Sequence, residues 1–166
     1  MIAGDPLTST QKGAVAEAAV TAAAVELGFV VLRPVTEGRR YDLVIDTGRT
    51  LVRVQCKWAP RKGDVVAIST RTCRYTPAGY VRTTYRSTEV DGIAAYCADL
   101  RQTFWLPVAD VAGRTFVHLR LAEARNGQRR RLRWAAQYPF GAIAQLGERV
   151  TGSHEVAGSS PASSTP

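Results

Sequence analysis

The sequence predicts an α/β protein in which a mixed β-sheet is flanked by helices, and three observations carry that expectation. An alanine-rich stretch near the N-terminus has strong helix propensity and both end signals. A succession of short apolar, β-branched runs follows, punctuated by Gly and Pro. A chain of 166 residues, 45% of them hydrophobic, is long enough for one core and too short for a second large one.

In chain order, Thr8-x-x-Gln11 is a capping-box pattern, the helix runs through the alanines to Leu27, and Gly28 closes it. At the helical period Gly13, Glu17, Val20, Ala24 and Leu27 share a face, the stripe that would pack on a sheet. Glu17 interrupts it, so its carboxylate must reach solvent, a cation or a metal. Strands are expected at Phe29–Val35, Tyr41–Asp46, Thr50–Trp58 and Val65–Thr70, a helix followed by a meander. A polar stretch rich in Thr, Arg and Tyr (Arg71–Thr88) separates these from expected strands at Ile93–Cys97, Thr103–Val108 and Phe116–Leu121. Asn126-Gly127 then reads as a turn ahead of an arginine run. No internal repeat is present.

The stretch LVRVQCKWA (Leu51–Ala59) begins as an alternating strand and then places Gln55 and Lys57 on one face. Asp46-Thr47-Gly48-Arg49 is a hairpin turn. A two- or three-residue loop there sets Asp42 opposite Val54 or Gln55, and in the second register Asp42, Gln55 and Lys57 share a face. With Glu17 converging from the helix, such a group suits phosphodiester hydrolysis. Oxygen ligands hold a hard cation such as Mg²⁺, and a lysine orients water and stabilises developing charge.

The formal net charge of +8 becomes +9 over residues 1–140, because residues 141–166 hold Arg149 against Glu148 and Glu155. Arginine supplies most of the excess, including Arg129, Arg130, Arg131 and Arg133, and its planar fork suits phosphate oxygens. Nucleic acid is therefore favoured over membrane, since no amphipathic basic helix accompanies the charge. Arg71, Arg74 and Arg82, interleaved with Tyr75, Tyr80 and Tyr85, either contact DNA or form the packing face of a hairpin. A run of arginines leaving the Asn126-Gly127 turn would bring at least Arg129 and Arg131 to one phosphate track. Cys56, Cys73 and Cys97 show no CxxC spacing, so they are expected reduced and buried, and His118 and His154 have no partners at ligand spacing. With no bilayer-length apolar run and no leader pattern, a soluble cytoplasmic protein is expected.

The ordered blocks QKGAVAEAAV (Gly13, Glu17), YDLVID (Asp42), VQCKW (Gln55, Lys57), EVDGIAAYC (Asp91) and RNGQRRRLRWAAQY (Asn126, Trp134) resemble the PD-(D/E)XK nuclease superfamily. More narrowly they resemble its group I intron-associated homing endonucleases, whose last motif is QxK. Tyr41 stands where that superfamily has Pro, and Gln55 where most members have an acid. The resemblance implies a restriction-endonuclease-like fold over residues 1–140 and a Mg²⁺-dependent DNA endonuclease. In it Asp42, Gln55 and Glu17 bind metal, Lys57 activates water, and double-stranded DNA is cut by a homo-oligomer, a dimer or tetramer. A Holliday-junction resolvase-like nuclease and a catalytically inactive DNA-binding derivative are the alternatives.

From Gly141 onward the chain loses strand periodicity and becomes small and polar, which reads as a flexible tail over residues 141–166. It also resembles a translated tRNA gene. Ile143–Arg149 can be encoded as a D-arm consensus and Gly158–Pro161 as a T-arm consensus. That resemblance implies a reading frame running into a tRNA gene, a locus favoured by mobile elements, and a tail with no catalytic role.

Overall fold

The computed structural model describes residues 7–36, 38–123 and 132–146. The first element, α1 (Ser9–Glu26), starts on the expected capping box: the Thr8 hydroxyl accepts from the Gln11 amide at 3.2 Å, and the Gln11 side chain accepts from the Thr8 amide at 2.9 Å. These bonds satisfy two amides that the first turn leaves without helical partners. The buried stripe is Ala16, Val20 and Ala24. Leu27, expected on that stripe, is 47% exposed, because the helix has already ended and the chain turns through Gly28 at φ +79°.

Three strands follow as an antiparallel meander: β1 (Val30–Leu32), β2 (Leu43–Asp46) and β3 (Leu51–Trp58). β1 is shorter than its apolar run suggests. It stops before Pro34, which lacks the amide a continuing ladder needs. The β2–β3 connection holds four residues, 47–50, and pairs Leu43 with Val54 and Asp46 with Leu51, a register that continues to Asp42 opposite Gln55.

The chain then leaves this sheet through β4 (Arg61–Lys62), β5 (Val65–Ser69), β6 (Arg71–Thr76) and β7 (Gly79–Thr84). It returns as β8 (Gly92–Cys97), parallel to β3, and β9 (Gln102–Pro107), antiparallel to β8. A single-turn helix α2 (Val108–Val111), β10 (Phe116–Arg120), β11 (Arg133–Trp134) and two 3-10 turns, Ala135–Gln137 and Phe140–Gln145, complete the described chain.

The result is a five-stranded mixed sheet of order β1-β2-β3-β8-β9, a four-stranded sheet of order β11-β10-β5-β4, and a separate two-stranded ribbon, β6-β7. One apolar cluster joins Val20 and Ala24 of α1 to Val52, Val54, Cys56 and Trp105 of the main sheet, with Phe140 and Ile143 of the last turn. The other joins Ile93, Ala95, Phe104 and Leu106 to Val66, Ile68, Val117 and Leu119 of the second sheet, with Val111 of α2. Helices thus flank the main sheet, and the second sheet, which no local pattern announced, covers part of one face. The packed chain runs past residue 140: Ile143, inside the stretch read as a tail, is 0% exposed.

The return into β8 is fixed by two features. Asp91 accepts from the Arg53 backbone amide at 2.7 Å and from its guanidinium at 2.8 and 3.1 Å, while Arg53 also donates to the carbonyls of Ser87 and Thr88. At Gly92 a Cβ would lie 2.4 Å from the Trp105 ring, so only glycine lets β8 approach β9 here. Cys56 and Cys97 are buried, whereas Cys73, expected buried, is exposed on the β6-β7 ribbon. Among the described residues no helix is long and apolar enough to cross a membrane.

Candidate active site

Strand alternation sends Val52, Val54 and Cys56 into the core beneath α1 and leaves Gln55 and Lys57 on the opposite face of β3. The hairpin brings Asp42 to them. Its amide donates to the Val54 carbonyl at 2.9 Å, which holds the residue at the mouth of β2. Its carboxylate Oδ2 accepts the Cys56 backbone amide at 2.8 Å and also the Gln55 side-chain amide. The amide nitrogen of Gln55 is therefore committed to Asp42, which leaves the carbonyl as the atom of that side chain able to face a cation.

Burial pushes the Asp42 carboxyl up from its ordinary value. The Cys56 amide pulls it back, neighbouring Glu17 pushes it up further, and Lys57 and Gln55 oppose that. Lys57 is displaced the other way: burial lowers its pKa, and the charge of Asp42 resists. Its Nζ donates to the Arg71 carbonyl at 3.4 Å and lies 5.3 Å from the centre of the Tyr85 ring. A cleft of about 480 Å³ opens here, lined by Asp42, Gln55, Lys57, Arg39, Arg40 and Tyr85 among others.

Glu17 borders a second cleft of about 290 Å³, with Arg33, Arg39, Tyr41 and Asp42 in its wall. Asp42 and Arg39 thus lie between the two openings. The Glu17 carboxylate pairs with Arg33 at 3.0 Å, and Arg33 also donates to the Thr21 hydroxyl at 3.2 Å. Both partners are partly exposed, and such a pair contributes roughly 0–1 kcal/mol. Its rearrangement is therefore cheap.

Among the described residues no group of three or more His, Cys, Asp or Glu side chains gathers to hold a metal. The available donors are two carboxylates, Asp42 and Glu17, and the Gln55 carbonyl. That set suits a hard divalent cation that keeps part of its water shell. The mutual repulsion of Asp42 and Glu17 is the electrostatic strain that such a cation relieves.

The structure brings Asp42, Gln55 and Lys57 together in one cleft and sets Glu17 in the neighbouring one, with Asp42 in the wall of both. Of the arginines expected to meet DNA, Arg82 is exposed on β7, and Arg71 stacks its guanidinium 4.9 Å from the centre of the Phe116 ring. The backbone of Arg74 is paired with Val81, but its side chain lies outside the described residues, as do Arg129, Arg131 and the Asn126-Gly127 turn. Arg133, from the same run, donates to the Asp110 carbonyl at 3.3 Å, a packing role. Tyr80 is 73% exposed, but Tyr85 is 3% exposed and sits in the core, so it is not a DNA contact. Sequence reasoning missed Arg33, Arg39 and Arg40. Arg40 is anchored at 2.6 Å on the Thr72 hydroxyl and at 3.3 Å on Glu89. The available signal was the basic loop RPVTEGRRY between two strands.

None of the curated proteins compared with the chain matches it. The solved structure of a bacterial homing endonuclease, I-Ssp6803I, superposes with a TM-score of 0.68 at 25% identity, over 90% of this chain and 100% of that one. A family model of PD-(D/E)XK endonucleases matches residues 7–141, a span that contains the helix, the hairpin and the QxK strand of the cleft. By fold and by this match, the chain belongs to the PD-(D/E)XK endonuclease family.

Proposed function

We propose that the chain is a Mg²⁺-dependent DNA endonuclease of the homing type, with Asp42, Gln55, Lys57 and Glu17 as its site. The observation that supports this most is the cleft in which Asp42 is hydrogen-bonded to Gln55 and lies beside the half-buried Lys57, while Glu17 approaches from the helix. Asp42, Glu17 and the Gln55 carbonyl are the groups that would hold Mg²⁺, which when bound polarises a phosphodiester and lowers the pKa of water. Lys57 orients the attacking water and stabilises the charge that develops on the phosphate oxygens. Arg39 and Arg40, lining the same cleft, meet the flanking phosphates, and the exposed Arg82, with Arg71, Arg74, Arg129 and Arg131, holds the duplex backbone. Cutting both strands needs two such sites, so the active form is a homo-oligomer, a dimer or tetramer, working in the cytoplasm. The tRNA-like character of the C-terminal stretch fits a mobile element, with residues 147–166 outside the catalytic unit.

The test is purified protein with supercoiled plasmid and Mg²⁺. Cleavage is expected, abolished by EDTA and by Lys57→Ala, while that variant keeps its DNA affinity to within about two-fold, since one lysine is a small part of the positive surface. Full activity of Lys57→Ala rejects the assignment. A second reading, a non-catalytic DNA-binding derivative, is favoured by the Gln55 amide pairing with Asp42 and by a donor set of only two carboxylates. Retained duplex binding with no cleavage under any divalent cation selects it. A four-way junction cut in preference to linear duplex selects a resolvase-like activity.

A further inference from the structure

We infer that Tyr85 is the positioning residue of Lys57, an aromatic platform that holds the ammonium in the cleft. The inference rests on the reading of Lys57 as the residue that acts on water and phosphate. Among the described residues, Nζ is met by a carbonyl and a ring, both from the base of the β6-β7 ribbon. The carbonyl belongs to Arg71, the first residue of β6, and the ring to Tyr85, the residue after β7. These two ends are held together, because Arg71 pairs with Thr84. The carbonyl contact is long at 3.4 Å, so it fixes a lysine end weakly.

A ring face suits this task for three reasons. It attracts an ammonium through its quadrupole within about 6 Å of the centroid. It accepts no hydrogen-bond proton into a lone pair, so it holds the amine by its face alone. It also occupies only one side of Nζ, leaving N–H directions for water and phosphate. Tyr85 itself is 3% exposed and packed in a cluster with Val90, Ile93 and Ala95. A flexible four-carbon stem is thus tethered to a rigid part of the core. The same ribbon carries Arg82 outward, so one element links the grip on DNA to the placement of the lysine.

The chain contains only three lysines, Lys12, Lys57 and Lys62, which makes the contact directly observable. In metal-free protein labelled with ¹³C-lysine, the ε-methylene proton signal of Lys57, assigned with Lys57→Arg, is expected upfield of the other two through the ring current. Tyr85→Phe keeps that shift and Tyr85→Leu loses it. In single-turnover cleavage, Tyr85→Leu is expected to slow the chemical step about ten-fold, with DNA affinity within about two-fold of wild type. Tyr85→Phe, which retains the ring, recovers most of that rate.

An unshifted Lys57 signal in the wild type overturns the inference. So does an unchanged rate in folded Tyr85→Leu, which is the outcome for a residue that only fills the core. A Tyr85→Phe variant as slow as Tyr85→Leu also overturns it, because the hydroxyl and not the ring would then be the agent. Should Tyr85→Leu fail to fold, the wild-type and Tyr85→Phe spectra decide alone. Cleavage by Lys57→Ala would refute the functional reading instead. An inactive Lys57→Ala beside a fully active Tyr85→Leu refutes only the positioning role.

Discussion

Asp42 stands where stability and the proposed function conflict. Burial and Glu17 raise its folded-state pKa above the ordinary value of 3.8. A raised carboxyl contributes stability that is present below the unfolded pKa and is lost as pH rises through the folded one. At neutral pH the metal-free protein therefore carries this charge at a cost. Asp42→Asn keeps an oxygen that can accept from the Cys56 and Gln55 amides and removes the charge. It is expected to raise the Tm of the protein in EDTA at pH 7, by about 2–4 °C per kcal/mol of relieved strain, and to abolish cleavage. The gain should shrink as pH falls through the raised folded-state pKa of Asp42, where the wild-type carboxyl takes up its proton. Mg²⁺ should raise the Tm of the wild type and not of the variant, by linkage to the folded state. A destabilised variant in thermal scans would show that Asp42 is structural. The convergence of Asp42, Gln55 and Lys57 was legible in the sequence because strand period and hairpin register are local rules. The Glu17–Arg33 pair was not, because it links residues 16 apart in sequence and depends on where β1 lies against α1. Of the two roles open to Tyr85 the structure excludes the DNA contact, and its meeting with Lys57 was not legible for the same reason, since it joins residues 28 apart in sequence.

At the scale of elements, the ribbon and the last turn act differently from what composition alone suggests. The stretch Arg71–Thr88 lacks a core-facing alternation, and it folds as a ribbon paired only with itself. Its exposed Arg82 stands on a strand that ends beside the cleft at Tyr85, the place from which the proposed function has it meet a phosphate. Arg82→Ala is expected to weaken binding of specific and random duplexes by similar factors and to reduce the slope of log K against log salt by about one. A changed site preference at unchanged general affinity would mean that Arg82 reads bases. The second sheet escaped sequence reading because β4 and β11 have only two residues each, below what alternation can register, and because β5 pairs with β10 across more than 40 intervening residues. The 3-10 turn Phe140–Gln145 escaped because its small residues imitate a linker, although Phe140 and Ile143 close the cluster beneath α1. Truncation after residue 146 is expected to leave folding and cleavage unchanged. Truncation after residue 140 removes a fully buried isoleucine and is expected to cost about 2–5 kcal/mol in denaturant unfolding. Equal stabilities of the two products would place the turn outside the core.

Among the described residues there is one cleft with this set of side chains, and a duplex has two strands related by a local two-fold axis. A chain that carries a single site cuts both strands most directly as a symmetric pair, each protomer acting on one strand. With a net charge of +8, two protomers of such a pair would repel one another free in solution and be drawn together by the neutralising field of one polyanion. The oligomer can be probed through its products. If the proposed oligomer is a dimer, co-expression of wild-type and Lys57→Ala chains in equal amounts makes about half of the pairs mixed. In these only one site acts, so supercoiled plasmid should accumulate as nicked circles, well beyond what the same amount of pure wild-type enzyme leaves at equal conversion. Re-cutting by wild-type dimers should then linearise the nicked pool slowly. An enzyme whose single chain cuts each strand in turn would give the same ratio of nicked to linear product with and without the inactive chains, only at half the rate. That outcome would reject the two-site arrangement and leave the fold and the cleft as the whole catalytic unit.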